Sequence, residues 1–382
     1  MVAAYSSLAV RYSRYTPVSM TPIQIQASLI FGSRPATPHM HKDFNSTYTE
    51  DVFPNLPNSS DSHPIELQGI TVNQFRRYLL AITSRPGDEY YKPLYRQETK
   101  LCIIYLDTAI LAGRFGMTGL EGWAMDALLE IFGRPRQTLA DLALEDWGVN
   151  VLLQLIATSR DTELYRPMIT FVQYFVSVSV KEMARETINK DKQPGRPGAP
   201  ICVRIYNAFK GSNSDPAMFG FVFLSLFSLG HRSSIWSSSL TGRDRAIFYA
   251  AQAQLVDTTK ELQCLKWLQP HPTFDSQTPF CPQCKLRLTT LWKQGFGGLS
   301  QALGSGLPPK DVSVLSSLPR SYWRFRMEWD RDSSLYCERG FGSSDWGAYN
   351  DFLHSLEGNM QNLFEEVASR YGTFARYMDY SI

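Results

Sequence analysis

Cys281-Pro282-Gln283-Cys284 is the stretch whose residue types and spacing could do chemistry. Two thiolates separated by two residues can share one metal ion, and Zn²⁺ takes four soft or borderline ligands in a tetrahedron. Upstream, Cys264 and His271 stand at a spacing, Cys-x6-His-x9-Cys-x2-Cys, that could complete the set. The expected ligands of a structural zinc are therefore Cys264, His271, Cys281 and Cys284. The same pair could instead be a redox dithiol, which normally sits at a helix N-terminus that lowers the thiol pKa. Lys285-Leu286-Arg287-Leu288 could start such a helix, but no strand–helix–strand pattern precedes it. Two reduced cysteines at a turn are the third reading. The sequence has no second Cys pair at finger-like spacing.

Other chemical patterns are missing. Gly295, Gly297 and Gly298 lack a following Lys-Ser/Thr, and Gly304-Ser305-Gly306 runs into Pro308-Pro309, so neither makes a phosphate-binding loop. No GxSxG and no HExxH occurs. The six histidines, His39, His41, His63, His231, His271 and His354, stand in no local signature with a nucleophile. His231 and Arg232 suit a helix C-terminus, where positive charge meets the dipole. Tyr322 to Trp329, YWRFRMEW, mixes rings with arginines as single-strand nucleic-acid binders do. Tyr322, Phe325 and Trp329 also share one helix face, and a core role is the preferred reading. The expectation is a protein that is not an enzyme, carries no cofactor other than that zinc, and binds no nucleic acid.

The chain's bulk properties agree. Its 382 residues suffice for two or three domains, each with a core. With 43% hydrophobic and 19% charged residues and a net charge of +2, it has no general attraction to nucleic acid or to an anionic membrane. The six cysteines are scattered, which fits a reducing compartment, cytoplasmic or nuclear, better than a disulfide framework. The apolar runs Ile169 to Val180 and Ala217 to Leu229 are too short to span a bilayer comfortably and read as buried helices. The first acid is Asp43, and Arg11, Arg14, Arg34 and Lys42 precede or flank it. That bias can mark a mitochondrial transit segment. Pro17, Pro22, Pro35 and Pro38 argue against a long helix there, and a variable or disordered segment over residues 1–40 is preferred.

The elements that must position these residues are mostly helical. Pro64 to Leu67 can be extended, Gly69 can turn, and Thr71 with Gln74 forms a capping box. Phe75, Tyr78, Leu79 and Ile82 then share a face. Thr99 to Arg114 carries two apolar stripes and reads as a helix buried on two sides. Gly116 to Phe132 is the next helix, stopped by Gly133 and Pro135. Further helices are expected over Thr138 to Val180, Ala217 to Leu229, Thr241 to Leu268 and from Phe352 to Val367. Residues 189–200, NKDKQPGRPGAP, read as a linker, and Phe274 to Leu318 as loop-rich.

A short strand, a capped helix and two consecutive apolar helices, as in SDSHPIELQGITVNQFRRYLLAI and KLCIIYLDTAILAGRFGMTGLEGWAMDALL, resemble the second half of a BTB/POZ domain, closest to its fungal members. HMHKDFNSTYTEDVFPNLP resembles the segment upstream, with His41-Lys42, Phe44, Tyr48 and Phe53. The family's opening hairpin should precede His41, where only Ile23, Ile25 and Leu29-Ile30-Phe31 could serve as strand. The resemblance implies a mainly α (α+β) fold: a BTB/POZ-like domain with a small sheet over residues 41–135, then an all-helical extension. That extension divides into a continuation over 136–188, the linker, and a C-terminal region over 201–382. It also implies a protein-interaction module that binds other proteins, itself as a homodimer, or a cullin-type ubiquitin ligase as an adaptor. The alternative from the residues alone is a zinc-stabilised helical regulator using Cys281 and Cys284.

Overall fold

The structure is a computed structural model that describes residues 23–25, 65–133, 147–188, 200–211, 214–255, 262–268, 280–304, 312–336 and 343–379. The basic stretch before Asp43, the His41-to-Pro57 stretch and the 189–199 stretch of the expected linker lie outside these, save Ile23–Ile25. The chain divides into two compact units, Met1–Ile131 and Phe132–Ile382.

In the first unit two three-residue strands, β1 (Ile23–Ile25) and β2 (Ile65–Leu67), pair antiparallel with Ile23 opposite Leu67. Gly69 follows β2 with φ at 73°, a conformation glycine adopts freely. The chain then enters α1 (Val72–Thr83) through the expected capping box: the Gln74 N–H donates to Thr71 Oγ1 at 3.2 Å, and the Thr71 N–H donates to Gln74 Oε1 at 3.1 Å. α2 (Tyr91–Tyr95) and a 3-10 turn (Thr99–Leu101) lead into α3 (Cys102–Arg114), and α4 (Thr118–Gly133) follows. α3 buries Ile104, Tyr105, Leu106, Ala109, Leu111 and Ala112, so its first stripe is covered, while of the second stripe Leu106 is buried and Ile103 and Ile110 are half-buried. Leu111 and Ala112 meet Leu67, Ile70 and Tyr78 in one core.

The expected α+β class is corrected here. The structure is 81% helical, and strand is confined to that three-residue pair, so the small sheet of a BTB/POZ-like domain is not formed among the described residues. A sheet needs several alternating apolar runs, and this sequence spaces its apolar residues for helices instead. The mainly helical part of the expectation stands.

The second unit is built of α5 (Val149–Ser159), α6 (Tyr165–Ile188), α7 (Ile201–Phe209), α8 (Pro216–Ser228), α9 (Ser234–Ser239), α10 (Gly242–Gln254), α11 (Pro282–Gly304), α12 (Val312–Ser316), α13 (Leu318–Tyr336) and α14 (Ser343–Asp379), with a 3-10 helix over Gln263–Leu268 between α10 and α11. Its centre is α8, whose residues from Ala217 to Phe227 are all buried. α6, α7, α12 and α14 pack around it. Asp215 caps α8 by accepting the Met218 N–H at 2.9 Å, and Pro216 takes the first helical position, where its missing N–H costs nothing. A helix apolar all round is stable only in such a place or in a bilayer. No helix among the described residues is long and apolar enough to cross a membrane.

Two local expectations are revised. The helix begun at Thr241 closes at Leu255 rather than Leu268, with the Leu255 N–H bonded to the Ala251 carbonyl. The Phe274-to-Leu318 stretch contains α11 and α12, hidden in the sequence by its prolines and glycines. Pro282 stands at the first position of α11, and that helix packs against Ser321 and Phe325 of α13 at Gly295.

Candidate functional site

Cys281 is the cap of α11. Its carbonyl accepts the Lys285 N–H at 3.0 Å, and its Sγ accepts the Cys284 N–H at 3.4 Å. Phe280, just before it, is fixed edge-on against Trp329 of α13, which stacks on Tyr349 of α14 at 4.9 Å. Both cysteines are largely buried, while Pro282 and Gln283 between them are exposed. The structure thus brings two of the four expected zinc ligands together. Cys264 sits on the Gln263–Leu268 turn, where its N–H donates to Glu366 Oε2 at 3.3 Å. Burial, and then the Glu366 carboxylate, push its thiol up to about 12, so it is held protonated. His271 lies outside the described residues. Among the described residues no group of three or more His, Cys, Asp or Glu side chains could hold a metal.

The buried polar groups of the second unit form ties between helices. Asp244 completes a capping box with Thr241 and also accepts from Lys210 and, at 3.0 Å, from the Tyr206 hydroxyl, which meets the Tyr371 hydroxyl at 3.2 Å. α7, α10 and α14 are joined there. Burial alone would raise the Asp244 pKa, but hydrogen bonds from Lys210, Thr241 and Tyr206 hold it below the usual carboxylate range. Tyr206 is pushed far up by burial and its neighbours. Tyr165 donates to Asp215 at 2.7 Å, Tyr322 donates to Glu357, and Gln173 and Gln361 exchange hydrogen bonds at 2.8 and 3.0 Å. Each carboxylate is occupied by a cap or a hydroxyl and faces another helix, an arrangement suited to fixing register. Tyr322, Phe325 and Trp329 of the YWRFRMEW stretch are buried, as the core reading expects.

The first unit offers a different surface. Phe75, Leu79 and Ile82, at i, i+4 and i+7 on α1, pack against its core and stay partly exposed, together with Phe115, Met117 and Leu120 at the α3–α4 corner. Arg76 is exposed, and Arg77 pairs with the buried Asp107 at 2.8 Å. Burial raises the Asp107 pKa despite that partner. No family model, no curated protein and no solved structure matches the chain.

Sequence periodicity found the α1 stripe as one shared face but not how much of that face is covered. Partial exposure depends on what lies over the stripe, which periodicity does not encode. The Asp244 and Glu357 ties had no signal beyond the Thr241 cap, because their partners come from helices far along the chain.

Proposed function

We propose that the chain is a non-catalytic helical scaffold for protein–protein association, with self-association through the first unit as its working contact. The observation that supports this reading is the partly exposed apolar row Phe75, Leu79 and Ile82 beside Phe115, Met117 and Leu120. Apolar groups gathered on one surface mark association sites more often than chance exposure does. The row itself contains no charged residue, which suits an apolar contact with a second copy across a two-fold axis. Docking to a cullin-type ubiquitin ligase was implied by a BTB/POZ fold, whose sheet the described residues do not form.

Sedimentation velocity over a range of concentrations tests the proposal. A dimer that becomes monomeric in the Phe75→Glu/Leu79→Glu double variant, with unchanged helicity, is the expected result. A wild-type chain that stays monomeric at every concentration overturns self-association. Affinity purification of the intact chain with mass spectrometry then asks whether another protein takes the surface.

A further inference from the structure

We infer that Met117 is an oxidation site, and that its sulfoxide breaks the apolar contact made by the first unit. The second half of that inference rests on the self-association proposed above. Met117 lies at the α3–α4 corner with Phe115 and Leu120, packed on the first unit's core beside Phe75. It is partly exposed, so a small oxidant reaches it in the dissociated chain. Its backbone is fixed on both sides. The Met117 N–H donates to the Ala112 carbonyl at 2.8 Å, and the Met117 carbonyl accepts the Leu120 and Glu121 N–H groups at 3.0 and 2.9 Å. The sulfur meets the Tyr78 hydroxyl, which donates to Met117 Sδ at 2.8 Å. Tyr78 is itself buried, and its ring packs on those of Phe75, at 6.1 Å, and Phe115, at 5.7 Å.

That hydroxyl matters for the chemistry. A thioether sulfur is a weak acceptor. A sulfoxide oxygen at the same place is a strong one. The Tyr78 hydroxyl therefore favours the oxidised side chain over the reduced one. It also favours the transition state, in which the transferred oxygen gains negative charge close to a fixed donor. The other described methionines are placed differently. Met168, Met218 and Met360 are fully buried. Met125 and Met327 are half-buried, but among the described residues no hydroxyl donates to either sulfur.

The oxidant is a peroxide. A lone pair of Met117 Sδ attacks one oxygen of hydrogen peroxide. The S–O bond forms, the O–O bond breaks, and its electron pair leaves on the second oxygen. That oxygen takes the proton of the transferred one and departs as water. The sulfur loses two electrons and the peroxide gains them. An apolar side chain has become a polar one. A second copy laid over it would bury the S–O group without a partner of its own, which opposes the contact.

The test exposes the intact chain, dilute, to hydrogen peroxide and follows each methionine by peptide mass spectrometry, with fragmentation separating Met117 from Met125. Met117 should gain one oxygen before Met125 and Met327 do, with Met168, Met218 and Met360 unchanged. Tyr78→Phe should slow the Met117 reaction about fivefold, the worth of one ordinary hydrogen bond. Oxidation of Met117 no faster than that of Met125 and Met327 overturns the site, and this wild-type comparison stands whether or not the Tyr78 variant folds. An unchanged Met117 rate in a Tyr78→Phe chain of unchanged helicity also overturns it. Sedimentation velocity then compares the oxidised wild-type chain with a Met117→Leu chain given the same peroxide. A wild-type dimer that becomes monomeric while Met117→Leu stays dimeric is the expected result. A dimer that survives full oxidation of Met117 overturns the effect on the contact. A wild-type chain that is monomeric before any oxidation overturns self-association itself, and the mass spectra still decide the site.

Discussion

A methyl group placed on Gly220 would lie 1.8 Å from the carbonyl oxygen of Phe364. α8 and α14 therefore approach backbone to backbone at this point. Neither a side chain nor a rotamer change can relieve that contact, because the obstacle is main chain. Gly220→Ala should force the two helices apart and lower stability on the order of 3 kcal/mol, at the upper end for overpacked cores. Urea denaturation followed by far-UV circular dichroism would measure it. An unchanged midpoint would mean that α8 and α14 do not meet in this way.

Gln173 and Gln361 exchange two amide hydrogen bonds in the second unit, and Gln173 is fully buried. Removing one partner leaves the other amide short of bonds, so Gln173→Leu should cost roughly 1–3 kcal/mol. The double variant Gln173→Leu/Gln361→Leu should lose less than the sum of the singles, because neither amide is then left wanting. A double-mutant cycle with a coupling energy of about 1 kcal/mol or more is the expected outcome. Strict additivity would place the two side chains apart.

Acid should act on the second unit partly through Asp244. Burial opposes its charge, yet bonds from Lys210, Thr241 and Tyr206 hold its folded pKa below the unfolded value. Its stabilising contribution is therefore present above the unfolded carboxylate range, near pH 4, and disappears as pH falls through the lower folded pKa. Asp244→Asn should make the chain less stable at pH 7 and should flatten the fall in stability below about pH 4. Thermal melts of both proteins from pH 7 down to pH 2 would show this. Parallel curves would assign the acid limb to other groups.

Leu111 keeps 1% of its surface and sits in the small core with Leu67, Ile70, Tyr78 and Ala112. A carboxylate there would be buried without a partner, at a cost of several kcal/mol, comparable with the stability of a whole small domain. Leu111→Asp should unfold the first unit. Loss of protection of α1 and α3 amides in hydrogen exchange would report it, and a variant that protects them as the wild type does would remove Leu111 from the core.

The sequence announced the starts of helices most clearly. Thr71 with Gln74 and the cap at Thr241 are local devices in which one side chain satisfies a backbone group three residues away. The apolar stripes of α1, α3 and α13 were equally legible, since periodicity states which residues share a face. α11 was not. Its glycines and prolines suggested a loop, and only its packing against α13 shows it as a long helix. The resemblance to a BTB/POZ domain rested on the order of elements, and order does not specify how many strands pair.

The candidate site divides in the same way. The sequence by itself determined that two cysteines stand two residues apart, that α8 is apolar all round, and where several helices begin. These properties depend on neighbours within a turn or two of the chain. Tertiary structure decided that Cys281 caps α11, that Cys264 faces Glu366, that α8 lies inside a bundle, and that Gln173 meets Gln361 across 188 residues of sequence. Those outcomes depend on which helix faces are buried together, and burial is settled by the free energy of the whole unit rather than by any one segment.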